Sequence, residues 1–389
     1  MGLTMPARLR RNLAERCTAF SKDGYAFEFA SERWRLNKDV SISLELPSHV
    51  NHVTRMGFRA TLQRYAEEKS ARHTENMCTR FKRFVRDTKT HMVTAESILN
   101  WRAILGCDAE WHLGGLKGFL IAWHDYGFDG VPDSVVVVLN HLRIKGNRKG
   151  QAVMSGCPLS GPLTDLEMGA VLAWANTAVE KGSIAFGDYA YLLTLAMTAR
   201  RPAQIAALKG KDLVVEMDKG METYRLEVPR CKQRGGVFRA ESRSLLIPAD
   251  LYSVLMIQWR NSMAALGNAV GGRIPAGMEG EVPLFLSSLT AIGAKRGGRL
   301  AALEEHFTQD RLHATTADLA RSLSRISREL TARSERTGKT IKLSATRFRY
   351  TRGTKLRREG FGPYVILISP DPQPRVAGFA PPAAQHGAT

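Results

Sequence analysis

The chain has 389 residues, enough for two or three domains with cores of their own, and a hydrophobic fraction of 44% that is ordinary for globular proteins. Its charge is not ordinary: 56 Lys+Arg stand against 37 Asp+Glu, a net +19, which points to a polyanionic partner, nucleic acid first and an anionic membrane surface second. No run of 18 apolar residues offers a membrane span, no lipidation signal is present, and the basic N-terminus lacks an apolar h-region, so the expected location is cytoplasmic.

Residues 1–50 are mixed and basic, with strand-like alternation near Tyr25–Phe29 and again at Val40–Leu46, and carry no assigned role. From 51 to 144 the pattern is helical. Amphipathic segments are predicted at Val53–Ser70, Thr74–Asp87, Ala95–Leu105, Trp111–Tyr126 and Ser134–Leu142. The second carries Arg80, Lys82, Arg83 and Arg86 around Phe81, Phe84 and Val85, a run that fits a solvated face as well as a DNA backbone contact. Residues 145–163 are rich in glycine, proline and cations and have no period, so they read as a basic linker.

A new domain begins at Thr164-Asp165-Leu166-Glu167, a capping-box spacing ahead of an apolar run. The rest of the chain is organised around the stretch Thr198–Asp212. An apolar helix over Tyr189–Met197 leads into Arg200 and Arg201, and Pro202 opens a second short helix with Ile205 and Leu208 on one face. Guanidiniums held at such a joint can grip a phosphate with paired hydrogen bonds. The alternative reading is an arginine pair capping the carbonyls of the first helix. Strands are predicted at Leu213–Glu216, Tyr224–Pro229 and Phe238–Ile247, with a tight basic hairpin loop at 230–236. Helix returns at Leu251–Leu266, an irregular Gly-rich stretch covers 267–300, and a further helix spans Asp318–Arg333. Next comes the arginine-dense segment Leu343–Gly360. The five scattered cysteines form no CxxC pair, so neither a zinc site nor disulfides are expected.

A helix–Arg–Pro–helix joint, a basic hairpin with a lysine at its turn and a late Arg-rich helix together resemble the tyrosine recombinases of the phage-integrase type. The family's first box, threonine, glycine, any residue, arginine and then Leu-x-x-x-Asp, is matched by Thr198, Ala199, Arg200, Arg201 and Leu208 to Asp212. Its hairpin lysine is matched by Lys232. Its His-x-x-Arg box is matched by Thr346 to Arg349, with threonine in place of histidine. The resemblance spans roughly 51–360 and implies an α+β, mostly helical chain. A helical core-binding (SAM-like) domain at 51–144 would precede, after the linker at 145–163, a mixed α/β catalytic domain at 164–364 with a small antiparallel sheet. It further implies double-stranded DNA as partner, a homo-oligomer that is a tetramer on DNA when active, and a role in integration or excision of a mobile element. No cofactor or metal is implied.

The implied chemistry accounts for these residue types. A tyrosine oxygen attacks the phosphorus and the 5′-oxygen leaves, which keeps the phosphodiester energy in a covalent enzyme–DNA bond. Two fixed guanidiniums, Arg201 and Arg349, stabilise the charge that builds on the non-bridging oxygens, and Lys232 protonates the leaving group. Three departures stand out. Gln204 replaces a carboxylate, Thr346 cannot do acid–base work, and the text after Tyr364 turns Pro-rich over 365–389. Tyr364 is the one late candidate for the nucleophile. The abrupt loss of pattern is what a shifted reading frame or a truncated gene produces, so the expectation is a chain without its nucleophile. The alternatives are a recombinase-derived DNA-binding protein without strand transfer, or an unrelated basic regulator or nuclease. A metal-dependent nuclease would need a carboxylate cluster, and 198–360 offers none by sequence.

Overall fold

Apolar residues recurring every three or four positions become buried stripes in a series of consecutive helices. In the computed structural model these are α1 (His52–Glu68), α2 (Ala71–Thr88), α3 (Ala95–Ala109), α4 (Trp111–Asp125) and α5 (Asp133–His141). The structure describes residues 18–146, 150–218, 220–231, 238–270, 272, 274–287, 303, 306–307 and 310–361. Each helix start has a local cause. Asn51, Ser70 and Thr94 accept N–H groups of the first turns of α1, α2 and α3, relieving donors that have no intrahelical partner. Gly106, at φ +62°, interrupts α3 one residue after Leu105, where the predicted helix ends.

Phe58, Phe81, Phe119 and Trp123 meet at the centre of this first unit, with Phe58 and Phe81 stacked at 4.5 Å between centroids. Each such ring stabilises the fold by about 2–3 kcal/mol of removed apolar surface. Two short antiparallel pairs precede the helices, β1 (Thr18–Phe20) with β2 (Ala26–Glu28) and β3 (Arg33–Arg35) with β4 (Ser41–Ser43). Their inward residues Phe27, Trp34, Leu36 and Ile42 join the same core as the helices, so the described part of 1–50 and the helical segment are one packed body. The cations of α2 are largely used locally. Arg80 lies over the Trp111 ring at 5.6 Å, and Arg83 pairs with Asp87 at 3.2 Å.

The chain divides at Lys149/Gly150 into two compact units. The second holds α6 (Gln151–Met154), α7 (Asp165–Glu180), α8 (Phe186–Thr198), α9 (Pro202–Ala206), α10 (Ala249–Val270), α11 (Thr316–Glu329) and α12 (Ala345–Arg358). Its sheet is antiparallel in the order β5 (Leu213–Asp218), β6 (Met221–Pro229), β7 (Ser242–Ile247). The capping box at Thr164 and Glu167 is formed as its spacing requires. Buried Leu226 and Val228 turn one face of the sheet toward Leu192, Leu195, Leu251 and Leu255. The chain is therefore α+β and mostly helical. Among the described residues no helix is long and apolar enough to cross a membrane, and no three His, Cys, Asp or Glu side chains cluster as a metal site would need.

Candidate active site

Helix α8 ends at Thr198 because Ala199 leaves the right-handed region (φ +52°, ψ 25°) and returns its N–H to Leu195 O at 2.9 Å. The chain then reverses through Arg200, which is 4% exposed, and Arg201 becomes the N-cap of α9 with Pro202 at its first position. The guanidinium of Arg201 reaches Cys231, two residues past the end of β6, with Nη1 donating to Sγ at 3.8 Å. Gln204 ties the two segments from behind. Its Oε1 accepts the Arg201 N–H at 3.3 Å and its Nε2 donates to Pro229 O at 3.0 Å. The neutral amide thus serves both a donor and an acceptor, which a carboxylate could not do.

Arg349 comes from α12, whose N-cap Ser344 accepts the Arg347 N–H at 3.2 Å. Arg349 as a residue is exposed, yet its guanidinium is partly desolvated. Its pKa is held below the ordinary value, first by that burial and then by the positive charge of Arg201, with Cys231 and Tyr350 opposing. Two guanidiniums 148 positions apart in sequence thus feel each other's charge, and among the described residues neither has a carboxylate partner. Like charges brought together without a counter-ion are suited to an anion with several oxygens.

Lys232 and Tyr364 lie outside the described residues. Thr346 is exposed on the first turn of α12.

Two buried ion-pair groups of the second unit were not read as such from the sequence, although Asp212 and Glu167 were each named in it. Arg239, at φ +58°, forms a paired contact with the buried Asp212, Nη1 to Oδ2 and Nη2 to Oδ1 both at 2.8 Å, and also donates to Ala207 O. Asp212 Oδ2 accepts the Lys209 N–H at 2.7 Å as well. The second group centres on Glu167, 0% exposed, which is paired with Arg336 at 2.5 Å and Arg347 at 3.3 Å. Burial pushes the Glu167 carboxyl up, but hydrogen bonds from Arg336, Ser334 and the Thr164 N–H outweigh it and leave the pKa below the ordinary carboxylate range. The signal for it was the capping box, read only as a helix start.

No family model and no curated protein matches the chain. Among solved structures it is similar to the XerA recombinase at 13% identity, over 80% of this chain and 87% of that one, with a TM-score of 0.31. It is also similar to the Tn1549 transposon integrase in complex with transposon right end DNA, at 14% identity over 82% and 85%, with a TM-score of 0.34. Likenesses this faint carry no argument about the site, whose reading rests on the chain's own side chains.

Proposed function

We propose that the chain is a DNA-binding protein of the tyrosine-recombinase type, with a phosphodiester held between Arg201 and Arg349. What supports this reading is that Arg201, at the α9 N-cap, lies within electrostatic reach of Arg349 and lowers its pKa, while neither has a carboxylate partner among the described residues. In the proposed reaction a phosphate oxygen sits between the two forks, each donating paired N–H groups, so charge building on the non-bridging oxygens meets donors already in place. Lys232 is one residue beyond Cys231, the contact of Arg201, and takes the role of leaving-group acid. Tyr364, the last tyrosine of the sequence, is the candidate nucleophile. The proposed partner is duplex DNA, bound by an oligomer that is a tetramer when strands are exchanged.

The test uses a nicked duplex that traps covalent adducts, together with a filter-binding measurement. Arg201→Ala and Arg349→Ala should each abolish any adduct but weaken total duplex binding only modestly, since many cations share it. Lysine at either position should rescue poorly, because a point charge cannot reproduce the bidentate fork. Loss of folding in Arg201→Ala would show that the residue is a helix cap and sink the clamp. A second reading, binding without strand transfer, is favoured by Thr346 standing where an acid–base histidine is expected. On that reading the wild-type chain gives no adduct and Tyr364→Phe changes nothing. A protein–DNA band that survives denaturation and disappears in Tyr364→Phe would reject it.

A further inference from the structure

We propose that Glu167 is a positioning residue for the phosphate clamp, acting through Arg347 on Arg349; this rests on the reading of Arg201 and Arg349 as that clamp. A capping-box glutamate needs only one donor, the N-cap N–H. Glu167 takes five. Oε2 accepts the Thr164 N–H at 3.2 Å, Arg336 Nη2 at 2.5 Å and Arg347 Nη2 at 3.3 Å, while Oε1 accepts Ser334 Oγ at 2.5 Å and Arg336 Nε at 3.2 Å.

The network is tied to the backbone on every side. Arg347, 1% exposed, also donates Nε to Gly161 O at 2.8 Å and Nη1 to Lys342 O at 2.5 Å. Arg336 donates to Gly156 O and Pro162 O, both at 3.1 Å. Leu163 N donates to Thr351 Oγ1 at 2.8 Å, one turn further along α12. The segment before α7, the loop after α11 and the first turns of α12 are therefore locked around one carboxylate.

The geometry of α12 gives the lock its consequence. Arg347 and Arg349 are two positions apart on a helix, so they project to opposite sides. Arg347 is buried against Glu167, and Arg349 lies on the exposed, opposite side of the helix, within reach of the charge of Arg201. Fixing the rotation of α12 about its axis at Arg347 fixes where the Arg349 fork faces. The guanidinium of Arg347 has its pKa lowered, by burial first, with the Glu167 charge opposing that shift. Without the Glu167 charge the buried Arg347 would face the partly exposed Arg336 with nothing to neutralise it, and Arg347 would have reason to turn out of the core and rotate α12 with it.

The experiment tracks the arginine side-chain Nε–Hε signals of the full chain by NMR during titration with inorganic phosphate, with Arg201→Lys and Arg349→Lys providing assignments. In the wild type the Arg201 and Arg349 signals should move together with one half-saturation. If neither moves, the clamp itself is wrong and the proposal goes with it. In Glu167→Gln the Arg349 response should weaken about tenfold while that of Arg201 persists, with Glu167→Asp in between. If both signals in Glu167→Gln respond as in the wild type, or both weaken equally, Glu167 has no positioning role and its burial serves stability alone. Should Glu167→Gln not fold, Ser334→Ala removes a single donor to Oε1. It should weaken the Arg349 response alone, and an unchanged response would overturn the proposal.

Discussion

Ala199 holds a left-handed backbone, φ +52°, one residue before the paired arginines, where a glycine would be the unstrained choice. Three magnitudes decide whether replacing it helps. The strain costs about 1–2 kcal/mol, a glycine adds about 0.4–1 kcal/mol of unfolded-state entropy, and losing a methyl that is 3% exposed forfeits about 0.8 kcal/mol. These nearly cancel, so Ala199→Gly should change denaturant stability by less than about 1 kcal/mol. Ala199→Val adds a β-branch to the same conformation and should cost about 2 kcal/mol or more; equal stability of the two variants would contradict the strained turn. Cys157 offers a second residue-scale outcome. The polar groups beside its sulfur, the Ser160 hydroxyl first and then the backbone N–H groups of Leu159 and Ser160, favour the thiolate and bring the thiol down to about 7. Alkylation of Cys157 by iodoacetamide, monitored by peptide mass, should rise with pH to half its plateau near that value. Ser160→Ala should move the midpoint upward, and a wild-type midpoint above about 8.5 would remove the hydrogen-bonded thiolate from consideration. Cys78, by contrast, is buried and pushed up to about 11, so it should stay unmodified in the folded chain.

At the scale of elements, the hairpin between β6 and β7 is fastened at both legs to the segment that carries Arg201. Gln204 holds the outgoing leg at Pro229, and the Arg239–Asp212 pair holds the returning one. Asp212 is 4% exposed, so removing its partner leaves a buried charge uncompensated. Arg239→Ala should therefore cost the second unit about 3 kcal/mol in urea unfolding and speed tryptic cleavage within 230–239. Unchanged cleavage would mean that the pair does not hold that leg. The helices of each unit were legible because their apolar period and their caps are local: Thr164 with Glu167, Pro202 at a helix start, and the Phe81, Phe84, Val85 stripe each sit within a turn of one another. Arg239 and Asp212 are 27 positions apart, and Glu167 and Arg347 are 180 apart. Nothing in a local period selects such partners among 56 cations. The same limit applied to residues 18–50, whose alternation showed strands near 26–28 and 41–43 but not the helices they pack on. The joint at Arg201 was legible for the opposite reason, since Pro202 fixes a helix start and so places the residue before it.

For the whole molecule, the +19 charge overstates what is available to a polyanion, because many of the cations already have internal partners. Arg325 is bound to Asp188 at 2.6 and 2.9 Å, Arg83 to Asp87, and Arg336 and Arg347 to Glu167. Arg201, Arg349, Lys355, Arg357 and Arg358 have no carboxylate partner among the described residues, and three of these close α12. Duplex binding should then be strongly salt-dependent, log affinity falling with log salt at about −0.9 per phosphate neutralised. The slope distinguishes the two groups of arginines. Arg349→Gln or Arg357→Gln should each reduce it by about one phosphate's worth, since a contact to the backbone is lost without loss of fold. Arg83→Gln and Arg325→Gln should leave the slope as it is and act only on stability, because their charges are already spent on Asp87 and Asp188. The measurement is a set of binding isotherms from about 50 to 200 mM salt on one random-sequence duplex. A flat wild-type slope would exclude DNA as the partner, whereas equal slope losses in all four variants would show that the internal ion pairs open on binding.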